Sequence, residues 1–179
     1  MKYFAFILVF MLSPPSYADN VFSDDESELS FRYHDNWSER EPQLHTTLVL
    51  LYADNGSDAT CNLSTKEFAE LKNLSEAALN QLRATNHTKS YFSTQLSGAF
   101  DDLEIKRYWR GAIGQKDAGL VELSYNLFLN DSRVRFTQFM GSTFARGRRI
   151  TLTCNAPAYG IETAKKAFDY IRNTMLFLY

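Results

Sequence analysis

Two cysteines, Cys61 and Cys154, carry the most definite chemistry in this chain. Neither sits in a Cys-x-x-Cys pair or beside a glycine motif at a helix start, the settings that make a thiol nucleophilic. In an oxidising compartment an even pair is most simply a single bridge. The alternative, one reactive thiol with a bystander, has no supporting motif. Both residues fall in strand-like sequence, so the expected role of the pair is structural: a disulfide joining Cys61 to Cys154.

Other candidate chemistry is thin. The three histidines, His34, His45 and His87, are not paired at metal-ligand spacing. Asp54-Asn55-Gly56-Ser57-Asp58 faintly resembles a calcium loop but lacks the distal bidentate Glu, so a solvated turn is the simpler reading. Ser142 follows Gly141 within strand-like sequence and not at a nucleophile elbow. Asp101, Asp102 and Glu104 could pair as acid and base, yet acids clustered before a strand usually make a solvated bend. Gly111-Ala112-Ile113-Gly114 lacks the Lys-Ser/Thr ending of a phosphate loop. No catalytic, cofactor or metal residue is therefore assigned, and the chain reads as a non-enzyme.

Binding chemistry is better represented. Arg146, Arg148 and Arg149 flank Gly147 at an expected hairpin tip. Their simplest use is edge protection, and their functional use is docking to an acidic surface. Tyr108 and Trp109 are adjacent, so on a strand they face opposite sides; Trp109 joins the three arginines as a candidate partner-binding residue because aromatics and Arg anchor interfaces.

The N-terminus supplies the address. Met1-Lys2 is followed by an apolar run from Tyr3 to Leu12, then Ser13-Pro14-Pro15 and the small-residue pattern Ser16-Tyr17-Ala18. This is the layout of a signal peptide over residues 1–18, cleaved after Ala18. The run is about half of the ~20 residues a membrane span requires, so no transmembrane anchor is expected. Removing Lys2 makes the chain one unit more negative than its full-length charge of −2. So balanced a charge leaves no electrostatic footprint for nucleic acid. Six Asn-x-Ser/Thr triplets begin at Asn36, Asn55, Asn62, Asn73, Asn86 and Asn130; the short signal favours a bacterial periplasm over a glycosylating host.

The elements that must position these residues follow from periodicity. Residues 19–28, with Asp24, Asp25, Glu26 and Glu28, are expected to be loosely ordered. Leu29, Phe31 and Tyr33 alternate as a strand, His34–Glu41 is a loop around Trp37, and Thr46–Tyr52 and Ala59–Leu63 are strands. Ser64-Thr65-Lys66-Glu67 has capping-box spacing and predicts a helix over 65–84. From Thr88 to Cys154 turn signals and alternation predict an antiparallel meander, with a turn over Gly111–Gly119 and a central strand over Leu120–Leu129. Ile161, Ala164, Phe168, Ile171, Met175 and Leu178 form one stripe of a terminal helix. No repeat or linker divides residues 29–179, which read as one α+β domain: an antiparallel sheet flanked by helices.

This order of elements resembles the Mog1/PsbP-like α/β/α sandwich family. The resemblance runs over about residues 29–179 and is best at the end, where Arg133-Val134-Arg135-Phe136-Thr137-Gln138 leads through Arg146-Gly147-Arg148-Arg149 into Ile150-Thr151-Leu152-Thr153-Cys154 and a helix with Phe168 and Ile171. Phe31-Arg32-Tyr33 followed by Trp37 is similar too, although the family's Pro shortly before the Trp is missing. The resemblance implies a mostly non-catalytic role and no catalytic residues; fold alone does not set function. The expectation is a periplasmic, non-catalytic module binding another envelope or secreted protein, in an accessory, chaperone-like or immunity-type inhibitor role, without cofactor. A carrier of a small apolar ligand held between sheet and helices is the alternative, and a hydrolase of unrecognised geometry a third.

Overall fold

Alternating burial sorts the chain into strands before any helix is placed. The computed structural model describes residues 19–42 and 44–179, so the expected signal peptide lies outside the described residues. Strands β1 (Asp19–Asp24), β2 (Leu29–His34), β3 (Trp37–Arg40), β4 (Thr47–Ala53) and β5 (Thr60–Glu67) come first. Helices α1 (Glu76–Asn86) and α2 (Lys89–Leu96) follow, then β6 (Asp101–Ile113), β7 (Lys116–Leu129), β8 (Ser132–Ala145) and β9 (Arg148–Pro157). Helix α3 (Ile161–Thr174) and β10 (Leu176–Phe177) complete the order.

Seven strands form one antiparallel sheet in the order β3-β4-β5-β9-β8-β7-β6, and β1-β2-β10 form a small second sheet. Adjacent residues on a strand face opposite sides, and the two sides are covered differently. Ile150, Leu152 and Cys154 of β9 join Cys61 and Leu63 of β5 in a core with Leu29, Phe31 and Tyr33 of β2 and Ala164, Phe168 and Ile171 of α3. On the other face, Val121, Leu123 and Tyr125 of β7 pack with Phe92 and Leu96 of α2, while Leu79 of α1 meets Phe144 of β8. The result is a helix, a sheet and a helix pair: an α+β sandwich with an antiparallel sheet, as the periodicity implied.

Cys61 lies directly opposite Cys154 across the β5–β9 pairing, and the two are bonded. Tyr108 and Trp109 do point to opposite faces, toward the α2 side and the α3 side respectively.

Six expectations need correction. The acidic segment 19–28 is not loose: Asp19–Asp24 pairs residue for residue with β2. Tyr170 donates a 2.5 Å hydrogen bond to Asp19, whose carboxyl it holds below its usual range, and Phe22 packs on Phe31 at 5.2 Å between ring centroids. The presumed loop around Trp37 contains β3, because Trp37 is buried and pairs with Ala53. The capping box at 64–67 is strand: this stretch pairs with Thr151 to Arg148 of β9, and the helix starts only after Ser75, whose Oγ accepts from the Ala78 amide. A second helix, α2, interrupts the expected meander, capped by Thr88 through the Tyr91 amide. The supposed turn 111–119 shrinks to Gly114–Gln115 between two long strands. Finally, α3 stops at Thr174 because Met175 turns extended (φ −66, ψ 130) and β10 joins β2, so Leu178 is exposed and outside the helical stripe.

Candidate functional site

The tight β8–β9 turn, residues 146–147, builds the site. Gly147 adopts φ +78, a conformation that side-chain-bearing residues rarely take. A Cβ there would also stand 3.2 Å from the Lys72 Cα, so the glycine lets the 3₁₀ turn Ala69–Leu71 close against the hairpin. The Phe68 amide donates to the Gly147 carbonyl at 2.8 Å and fixes that approach. Opposite stands the β1–β2 turn, folded by the Ser27 amide donating to Asp24 Oδ2 at 2.7 Å. Leu178 donates its amide to the Glu28 carbonyl at 2.8 Å, which brings Tyr179 to the same rim.

Between these walls lies an open groove of about 650 Å³ floored by Ala145 and Ile150. Its charges are mixed: Glu26, Glu28 and Glu67 against Lys72, Arg146 and Arg148. Arg148 reaches across it, donating from Nη1 to the Glu26 carbonyl at 2.6 Å and pairing through Nη2 with Glu67 at 3.0 Å. Arg146 lies 3.5 Å from Glu28 and over the Tyr179 ring at 5.4 Å. Burial pushes the Tyr179 phenol above its ordinary range. Arg146 remains 61% exposed, so its ion pair is a surface one that a stronger acceptor can replace at small cost.

The structure brings together Arg146 and Arg148 and separates the other two candidates. Arg149 projects from the opposite face of β9, where Nη1 meets the Tyr91 hydroxyl and the guanidinium lies 5.7 Å from the Phe68 ring centroid. Trp109 sits on β6, at the far edge of the sheet, half-buried against the α3 core with Arg107 stacked over it at 4.9 Å. Strand alternation is the reason for the first separation and strand order for the second. Sequence reasoning missed Glu26, Glu28, Glu67, Lys72 and Tyr179. Their only signal was the acidic run before Leu29, and nothing in its spacing tells which turn it will face.

Chemically the groove offers both donors and acceptors, the makings of ion pairs and hydrogen bonds to a polar chain. Among the described residues no group of three or more His, Cys, Asp or Glu side chains could hold a metal ion. None of the described helices is long and apolar enough to cross a membrane.

The sequence matches no protein-family model and no curated protein. Solved structures are similar at the level of fold. The cyanobacterial PsbP protein (CyanoP) of Synechocystis sp. PCC 6803 superposes with a TM-score of 0.59 at 15% identity, over 90% of this chain and 93% of that one. The Saccharomyces cerevisiae Ran-binding protein Mog1p gives 0.56 at 10% identity, over 91% and 97%. LpqN, involved in cell envelope biogenesis of Mycobacterium tuberculosis, gives 0.52 at 13% identity, over 90% and 85%. At such identities the likeness speaks for architecture alone, and on architecture the three agree: this chain has the Mog1/PsbP-like α/β/α sandwich fold.

Proposed function

We propose that the protein is an extracytoplasmic, non-catalytic module that binds another protein of the envelope through the groove at the β8–β9 turn. The observation that carries the reading is the groove itself, where Arg146 and Arg148 stand with three glutamates on a rim built from four separate chain segments. The signal-peptide pattern of residues 1–18 and the Cys61–Cys154 bond support an oxidising address. The fold offers precedent: the yeast structure is of a Ran-binding protein, and the mycobacterial one takes part in cell envelope biogenesis. An accessory, chaperone-like or immunity-type inhibitor role would each use such a rim.

Rim charges chiefly raise association rates and make them salt-sensitive. A photo-crosslinking residue placed at Ala69 or Lys72 in the producing cell is expected to capture a protein. The same residue at Glu162, on α3, is expected to capture none. Arg146→Ser with Arg148→Ser should suppress the adduct and slow association with the purified partner at low salt. Adducts absent from both groove positions, or indifferent to the double variant, would refute the reading.

A further inference from the structure

The opposite face of β9 carries a second, smaller cleft, distinct from the groove. It opens between α2 and the sheet, holds about 190 Å³, and is lined by Tyr91, Phe92, Leu96, Met140, Gln95, Ser142, Arg149 and Thr151. Its apolar wall is Phe92, Leu96 and Met140, and no carboxylate faces it. Among the described residues Arg149 has no acidic partner; its polar contact is the Tyr91 hydroxyl. That hydroxyl accepts from Arg149, so its own proton is free to be donated.

Ser142 is set the same way by a buried neighbour. His87 has no solvent exposure, and its Nε2 lies 3.2 Å from Ser142 Oγ while its Nδ1 has no hydrogen-bond partner. Burial, then the charges of Arg149, Arg110 and Arg83, push the imidazole down to about 4, so it is neutral at pH 7. A buried N–H without an acceptor is the rarer and costlier orphan, which puts the one ring proton on Nε2. His87 then donates to Ser142, and Ser142 must donate onward, toward Thr151 at 3.4 Å or into the cleft. Gly119 permits this arrangement, since a Cβ there would stand 2.5 Å from the His87 carbonyl oxygen. Arg149 and Tyr91 therefore present donors to one small space with an apolar back, and Ser142 adds a third when its hydroxyl turns from Thr151 into the cleft.

We propose that this cleft binds a carboxylate carried on a short apolar body. Its volume is about six times that of a liquid water, room for a fragment on the order of six to eight non-hydrogen atoms. A free short-chain acid and the C-terminal leucine of a peptide both present this chemistry.

Calorimetric titration of the purified, oxidised protein tests it with four probes: hexanoate, hexanamide, an N-acetylated Gly-Gly-Leu tripeptide and its C-terminal amide. Binding of either acid at millimolar concentration, with its amide at least tenfold weaker, is the expected result, and which acid binds names the source. Arg149→Gln should weaken that binding by about ten- to a hundredfold, the range for a hydrogen bond to a charged group. Ser142→Ala, which leaves Arg149 in place, should weaken it severalfold. Failure of both acids to bind, equal binding of the amides, or full affinity in both variants would overturn the proposal.

Discussion

His87 and the three arginines around it show how a single side chain can couple the fold to pH. In the unfolded chain an imidazole titrates near ~6.5; buried here, it titrates at about 4. Between those values the unfolded state binds a proton that the folded state does not, so stability falls as pH drops from ~6.5 toward 4 and the loss levels off below that. The loss is on the order of 3 kcal/mol. Urea midpoints measured from pH 7 to pH 4 should therefore decline more steeply for wild type than for His87→Gln, and parallel declines would count against a buried neutral His87. Nothing at residue level in the sequence marked His87 out, because its burial depends on α2 and on Gly119, which lies in a different strand. The cysteines were legible for the opposite reason: parity and compartment need no knowledge of neighbours. The arginine run was legible as charge but not as geometry, since a turn followed by a strand sends Arg148 and Arg149 to opposite faces.

Elements were read best where the period ran long. The stripe Ala164, Phe168 and Ile171 of α3 is buried as expected. Phe168, 1% exposed with Phe139 at 6.1 Å between ring centroids, should cost about 3–5 kcal/mol when changed to Ala. Chemical denaturation measures this, and Leu178→Ala, on an exposed residue beyond the helix, should change stability little. The capping box at Ser64 to Glu67 misled because the same four residues lie in β5, paired with β9, and the Thr65 amide donates to the Thr46 carbonyl at 2.8 Å instead. Tertiary pairing outweighs a cap worth about 1 kcal/mol. The cap actually used is Ser75, so Ser75→Ala should destabilise the protein by about that amount and raise amide exchange in the first turn of α1. Helix α2 escaped notice since its eight residues bury just Phe92 and Leu96, one i, i+4 step and too little to show a helical repeat.

At the scale of the molecule the disulfide is the covalent constraint, bridging residues 93 apart across two central strands. In the chain-entropy model a loop of that length contributes about 4–5 kcal/mol, an upper figure. Replacing both cysteines by Ala should lower the urea midpoint, with the loss measured against the oxidised protein approaching but not exceeding that value. The class of fold was legible because turn signals and alternation count strands directly; strand order was not, because it depends on which edges remain open when later strands arrive.

That order has a consequence for biogenesis. Strand β9 is synthesised after both of its neighbours, β5 and β8, yet lies between them. A nascent chain that has reached only Gly147 holds two half-sheets, each ending in an unpaired central edge, and lacks the helix that covers one face. Unpaired edges of this kind template aggregation. The chain therefore cannot consolidate progressively from its N-terminus during synthesis; it folds as a unit once residues 148–177 are free. A ribosome-stalled or prematurely terminated product ending before Arg148 should be a protease-sensitive, chaperone-bound species, whereas the finished chain closes both half-sheets in one step.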